Sequence, residues 1–225
     1  MPTLSEAESK ALLARHGVPV PDEELVASPE EAAAAAGRIG YPVVVKLCGR
    51  AIAHKTERGL VKLNLRDADA VAAAATELLA AARPEDWGGS PASPEADPGM
   101  GLLVGAMVSG ARELIAGFVR DDEFGPCVML GIGGIFAEAL GDVAFRLAPL
   151  EPIDADDLID DLSNQALLGA VRGEPPVDRA ALARILLGLA ELGEGDERIR
   201  SIDLNPLIVA GGGVPTAVDA LVELG

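Results

Sequence analysis

The chain has 225 residues, 49% of them hydrophobic and 24% charged, enough to bury a core in one domain or in two small lobes packed as a unit. Eighteen Lys and Arg against thirty-six Asp and Glu leave a net charge of −18, which repels nucleic-acid backbones and anionic membranes at long range and argues against partners of either kind. No stretch reaches the roughly 18 uninterrupted apolar residues of a membrane helix, and the N-terminus MPTLSEAESKALLARHG, with acids among its first residues and no unbroken apolar run, lacks the layout of a signal peptide, so a cytoplasmic location is expected.

Residues 4–16 carry apolar positions at helical spacing and end at Gly17, after which Val18-Pro19-Val20-Pro21 enforces an extended exit. His16 falls at the C-terminal end of that helix, where the dipole favours it in a structural role. Ser28-Pro29-Glu30-Glu31 reads as a helix start, with Pro at the first helical position and acids in the first turn, and Gly40 as its stop. Tyr41–Leu47 predicts a buried strand, Leu60–Leu65 an alternating strand and Asp67–Ala82 a helix. Residues 83–101, dense in Pro, Gly, Ser and acids, predict an exposed, mobile connection that divides residues 1–101 from 102–225.

Beyond it, strands are expected at Leu102–Val108, Glu113–Arg120 and Pro126–Ile132, with residues 121–125 turning a hairpin. Residues 154–170 and 178–192 have helical periodicity. Ser201–Val209 and Pro215–Val222 read as strands around Gly211-Gly212-Gly213. Helices and strands mix without a regular βαβ repeat, so the fold class is α+β with two lobes. Cys48 and Cys127 stand apart and match neither a disulfide framework nor a metal pair.

Four stations could carry chemistry. Lys46 follows three valines in an interior strand, where an ammonium either snorkels to the strand end or faces an anion such as phosphate. His54 sits in GRAIAHKTERG among basic residues and glycines, either as a surface histidine or as a phosphate-handling nucleophile. Gly131, Gly133 and Gly134 follow a strand and either make a tight turn or let backbone N–H groups approach phosphate oxygens; the string is neither a Walker A loop nor G-x-G-x-x-G. In Ser201-Ile202-Asp203-Leu204-Asn205, Asp203 and Asn205 project from one face of a strand, and with Asp219 they form an oxygen-rich set suited to Mg²⁺.

Taken in order, Lys46 after VVV, His54-Lys55 before a glycine, RELIAG at 112–117, FGPCVMLGIGGIFAEALGDVAFRLAPL at 124–150, VRGEPPVD at 171–178 and IDLNPLIV at 202–209 closely resemble the ATP-grasp domain of ADP-forming acyl-CoA synthetases. The resemblance covers nearly the whole chain and implies the two-lobed ATP-grasp fold, with nucleotide between a mobile lobe and a sheet that holds Mg²⁺. Carried over motif by motif, it assigns Lys46 to the nucleotide phosphates, Glu113 to the ribose and Val104–Val108 to the adenine. It further assigns Asn205 and Asp219 to Mg²⁺, Asp203 to the neighbourhood of a phosphohistidine, and Arg146 with Gly131, Gly133 and Gly134 to the phosphate path. His54 resembles the second phosphohistidine of a relay between ADP/ATP and an acyl phosphate.

The sequence departs from the usual pattern around the His-Lys pair, with Gly49-Arg50-Ala51 before it and Thr56-Glu57-Arg58-Gly59-Leu60 after it. The Val104–Val108 segment, which resembles the family's hinge along the adenine, also carries Gly105-Ala106 where a Gln-Glu pair is common. There is no room for a CoA-binding domain or the first phosphohistidine, so the resemblance implies a β-type subunit whose CoA site lies on a separate α-type partner. A nucleotide-sensing module of an acyltransferase-type regulator and a stand-alone ATP-grasp ligase are the competing readings; neither requires His54 to be phosphorylated.

Overall fold

The computed structural model describes residues 2–50, 52, 58–82, 100–134, 141–171 and 173–225. His54 and residues 83–99 of the expected connection lie outside the described residues.

In chain order the elements are α1 (Glu6–Ala14), β1 (Glu23–Val26), α2 (Pro29–Ile39), β2 (Val43–Cys48), β3 (Val61–Leu65), α3 (Ala68–Ala81) and β4 (Gly101–Ala106). They continue with β5 (Arg112–Asp121), β6 (Gly125–Ile132), β7 (Val143–Leu147), α4 (Pro152–Asp160), a 3₁₀ turn (Gln165–Leu167), α5 (Arg179–Gly195), β8 (Ile199–Val209), β9 (Pro215–Ala217) and β10 (Ala220–Leu224). The α+β class is as expected. Local chemistry explains the boundaries: the Ser28 hydroxyl accepts from Glu31 N at 3.2 Å and Asp67 from Ala70 N at 2.8 Å, each satisfying a free amide at a helix start.

The chain forms two compact units, Thr3–Glu8 with Pro21–Met107, and Met1–Pro2 with Ser9–Val20 and Val108–Gly225. They differ from the division at 101/102 in two ways. β4 stays with the first unit because it pairs with both β1 and β2, and Ser9–Val20 goes with the C-terminal half. There, Val222 N donates to the Ser9 hydroxyl at 3.2 Å and Ala217 N to the Pro19 carbonyl at 2.8 Å.

The first unit is an antiparallel sheet in the order β1-β4-β2-β3 with α2 and α3 on one face. Val43, Val45, Leu47, Leu102 and Val104 meet Ala32, Ala35, Ala36, Val71, Ala75 and Leu78 there. The alanines let the helices lie close, and each fully buried Val or Leu contributes about 1.5–3 kcal/mol. The second unit is an antiparallel sheet in the order β10-β8-β5-β6-β7, with β9 also paired to β8. Phe118, Val128, Leu130, Ile202 and Leu204 are buried on its α4/α5 side. Gly193 of α5 lies against the Phe118 ring where any Cβ would collide.

Three expectations about elements are corrected. The helix expected over 154–170 ends at Asp160, because Asp142 accepts from the amides of Ser163 and Asn164, each at 2.8 Å, and Gln165 donates to the carbonyls of Ile159 and Leu162. The single strand expected at 215–222 is two strands, β9 and β10, that pair with successive parts of β8. Strands β1 and β7 were not anticipated.

Candidate functional site

In the first unit, alternation along β2 sends Val43, Val45 and Leu47 into the helix-covered core and Lys46 to the other face. Lys46 is 8% exposed, and its Nζ donates to Glu6 Oε1 at 2.6 Å; the Glu6 side chain is 1% exposed. The buried ammonium therefore faces a carboxylate of α1. Val104, on the neighbouring β4, belongs to the core cluster and is fully buried, so it offers the opposite face only its backbone. Val108, half-buried, follows the end of β4.

In the second unit, the face away from α4 and α5 gathers most of the remaining expected residues. Alternation puts Glu113, Ile115 and Gly117 of β5 on this face, and Gly117 pairs with Asp203 of β8. Asp203 and Asn205 are exposed while Ile202 and Leu204 are buried, as the sequence pattern requires. β8 pairs with β10 as far as Leu204 and with β9 from Leu207. Asp219, in the bend that links β9 to β10, directly precedes Ala220, the β10 residue that pairs with Leu204. A second cluster forms around Glu113: Gly133 N donates to the Glu113 carbonyl at 2.8 Å, and a Cβ at Gly134 would lie 3.7 Å from Glu113 Oε2. Gly131 packs so closely on Ile115, Val143 and the Asp142 carbonyl that a Cβ would stand 3.0–3.2 Å from them.

Arg146 is not brought to this face. It pairs across the sheet with the buried Val128, and its guanidinium forms an ion pair with Asp161 at 2.5 Å just past α4. His16 lies in the turn after α1, with Nδ1 3.8 Å from Glu191 Oε2 and its carbonyl against Gly188 of α5.

The electrostatics single out Asp203. Desolvation, then the carboxylates of Asp219 and Glu223, push its carboxyl above the ordinary carboxylate range. The Asp203 side chain nevertheless keeps accessible surface, so a cation or a polarised water can reach it. Among the described residues no group of three or more His, Cys, Asp or Glu could hold a metal ion. One carboxylate and one carboxamide, completed by phosphate oxygens and water, are nevertheless a donor set that Mg²⁺ accepts, and the mutual repulsion at Asp203 is what such a cation relieves. Asn205 and Asp219 therefore fit that ion.

Three structural residues beside these stations were missed. Glu6 reads in sequence as one of several acids at a helix start; only the S-x-x-E capping pattern of Ser5 and Glu8 signalled that this turn is held in a fixed geometry. Arg112 is 6% exposed, donates to the carbonyls of Gly169 at 2.8 Å and Pro175 at 2.5 Å, and pairs with Glu174 at 3.3 Å, so it fastens Gly169, Glu174 and Pro175 to the start of β5 beside Glu113. Asp142 is 6% exposed; burial raises its carboxyl, but hydrogen bonds from Ser163 and Asn164 outweigh this and hold it below the usual range.

The pattern of the ATP-grasp domain family matches residues 2–224. The chain is 39% identical over 204 residues to the β subunit of ADP-forming acetate–CoA ligase I of Pyrococcus furiosus, covering 91% of this chain and 84% of that one. It is 38% identical over 208 residues to the ADP-forming 4-hydroxybutyrate–CoA ligase of Nitrosopumilus maritimus, covering 92% of this chain but 29% of that longer protein. Among solved structures, it is similar to the dinucleotide-forming acetyl-coenzyme A synthetase 1 of Ca. Korarchaeum cryptofilum in complex with coenzyme A, Ca-AMPCP and HgCl⁺. There the TM-score is 0.87 and the identity 37%, over 100% of this chain and 94% of that one. Another structure of that synthetase, with a TM-score of 0.81 and 35% identity, over 100% of this chain and 94% of that one, contains coenzyme A, acetyl-coenzyme A and a phosphorylated phosphohistidine segment.

Proposed function

The chain belongs to the ATP-grasp domain family, alongside the β subunits of ADP-forming acetate–CoA ligases, and from that premise we propose how its residues divide the work. It is the nucleotide-binding, phosphoryl-transferring component of an ADP-forming acyl-CoA synthetase, which converts carboxylate, CoA and ATP to acyl-CoA, ADP and phosphate. A separate α-type subunit carries the CoA site and the first phosphohistidine. Lys46 neutralises the nucleotide phosphates and Glu113 accepts from the ribose hydroxyls. Gly131, Gly133 and Gly134 line the phosphate path, the first two packed into the sheet and the exposed Gly134 leaving its backbone open to phosphate, and Val104–Val108 lies along the adenine through main-chain groups. Asn205 and Asp219 would hold Mg²⁺, which when bound screens the phosphate charge and orients it for in-line transfer.

In the synthetic direction an imidazole nitrogen of His54 attacks the γ-phosphorus, the bond to the β,γ-bridging oxygen breaks, and ADP leaves. The phosphoryl group then passes to the partner's histidine and on to the carboxylate. CoA thiol attack on the acyl phosphate releases phosphate. Asp203 orients the phosphohistidine. Arg146, paired with Asp161 on the opposite side of the sheet, has no part in this assignment.

The observation that supports this reading most is the β8 face, where Asp203 and Asn205 alternate outward beside Asp219 and opposite a residue without a side chain. Its test is incubation of the purified chain, wild type and His54→Ala, with γ-labelled ATP and Mg²⁺. Acid-labile, base-stable label is expected on the wild type and absent from the variant. Nucleotide binding without label, even with a CoA-binding subunit added, would replace this reading with a nucleotide-sensing module.

A further inference from the structure

Resting on the assignment of Lys46 to the nucleotide phosphates, the structure assigns to Glu6 the role of positioning residue for that lysine. Lysine is a flexible four-carbon arm, and a phosphate contact benefits only if the ammonium is already where the phosphate arrives. In β2, Val45 and Leu47 are fully buried and fix the backbone on either side of Lys46. Glu6 then fixes the far end of the side chain, by an ion pair of 2.6 Å between groups that are 10% and 1% exposed.

Glu6 is itself held by construction. Ser5 N donates to Glu8 Oε2 at 2.9 Å and Glu8 N to the Ser5 hydroxyl at 3.3 Å, a reciprocal capping box that sets the first turn of α1. The same turn grips the chain four residues beyond Lys46. The Thr3 hydroxyl donates to the Arg50 carbonyl, and Arg50 donates to Glu8 through Nε at 3.0 Å and again through Nη2. Residues 3–8 thus fasten both the lysine and the exit of its strand, and all of these groups lie in one compact unit. A carboxylate buried on a cation that must also receive phosphate is a shared ligand. It keeps the ammonium aimed when nucleotide is absent and lends it to the phosphate when nucleotide binds.

The test is a double-mutant cycle in the full chain with Glu6→Gln, Lys46→Gln and the double variant. It reads the affinity for Mg-AMPPCP, label transfer from γ-labelled ATP and the urea unfolding midpoint. Glu6→Gln is expected to weaken nucleotide affinity about tenfold, Glu6→Asp to recover part of it, and Glu6→Gln in the Lys46→Gln background to cause no further loss. Should Glu6→Gln prove too unstable, the cycle is run with Glu6→Asp as the single change. Unaltered affinity in a folded Glu6→Gln variant, or equal losses in both backgrounds, overturns the positioning role. If Lys46→Gln itself leaves affinity unaltered, the phosphate assignment of Lys46 falls and the role of Glu6 falls with it; the two failures are distinct because only the second involves Lys46 alone.

Discussion

At the scale of single residues, the described acids whose titration the fold shifts are of two kinds, those it favours as anions and those it does not. Asp203 is of the second kind. With its folded value raised, its ionised form is disfavoured in the folded state, so metal-free stability falls as pH rises from the unfolded value of 3.8 through the raised value. Asp203→Asn is expected to remove that slope and to raise the urea midpoint of metal-free protein at neutral pH, while reducing label transfer. Glu8 is of the first kind: hydrogen bonding to Arg50 lowers it to about 2 from 4.5. Its stabilisation is present above 4.5 and lost as pH falls through about 2. The Arg50 side chain is 48% exposed and screened, so Glu8→Gln should cost about 1 kcal/mol or less at neutral pH, and the gap from wild type should close on acidification. Residue identity on strands was legible where the two faces differ, as at Asp203 and Asn205. It was not legible at Val104, because β4 is apolar on both faces and its alternation carries no sign.

Among the elements that sequence missed, β1 is half-buried along its whole length and β7 has an inverted pattern. β7 buries the small Ala144 and exposes Phe145 and Leu147, at 56% and 59%, so its apolar residues point away from the core that periodicity is read to find. That inversion also puts Arg146 on the helix-covered side. α4 has helical periodicity well past Asp160, yet it stops because Asp142 and Gln165, one distant in sequence, capture its next amides and last carbonyls. Asp142→Ala should therefore destabilise by about 3 kcal/mol, with the loss visible in the urea midpoint and in early hydrogen exchange at Ser163 and Asn164. The caps of α2 and α3 were legible because they are local; this one depends on tertiary contact. Gly188→Ala, placing a methyl against the His16 carbonyl, should cost about 2 kcal/mol, measured the same way.

At the scale of the whole molecule, the α+β class and the order of elements could be read from the sequence, but the partition could not, since it depends on where Ser9–Val20 packs. Those residues supply the Ser9 hydroxyl to Val222 N, the Pro19 carbonyl to Ala217 N, and the His16 carbonyl that lies on α5. A fragment of residues 108–225 is therefore expected to unfold without cooperativity. Adding a peptide of residues 9–20 should restore a transition, as followed by circular dichroism. The same contacts impose a timetable on the ribosome. At about 5–20 residues per second, residues 9–20 leave the exit tunnel many seconds before the strands that receive them have been made. The stretch Ser9–Val20 must wait that interval with Leu13 and Val18 uncovered, and synonymous codon changes that slow translation after Met107 would lengthen its exposure to chaperones and proteases without altering a single residue.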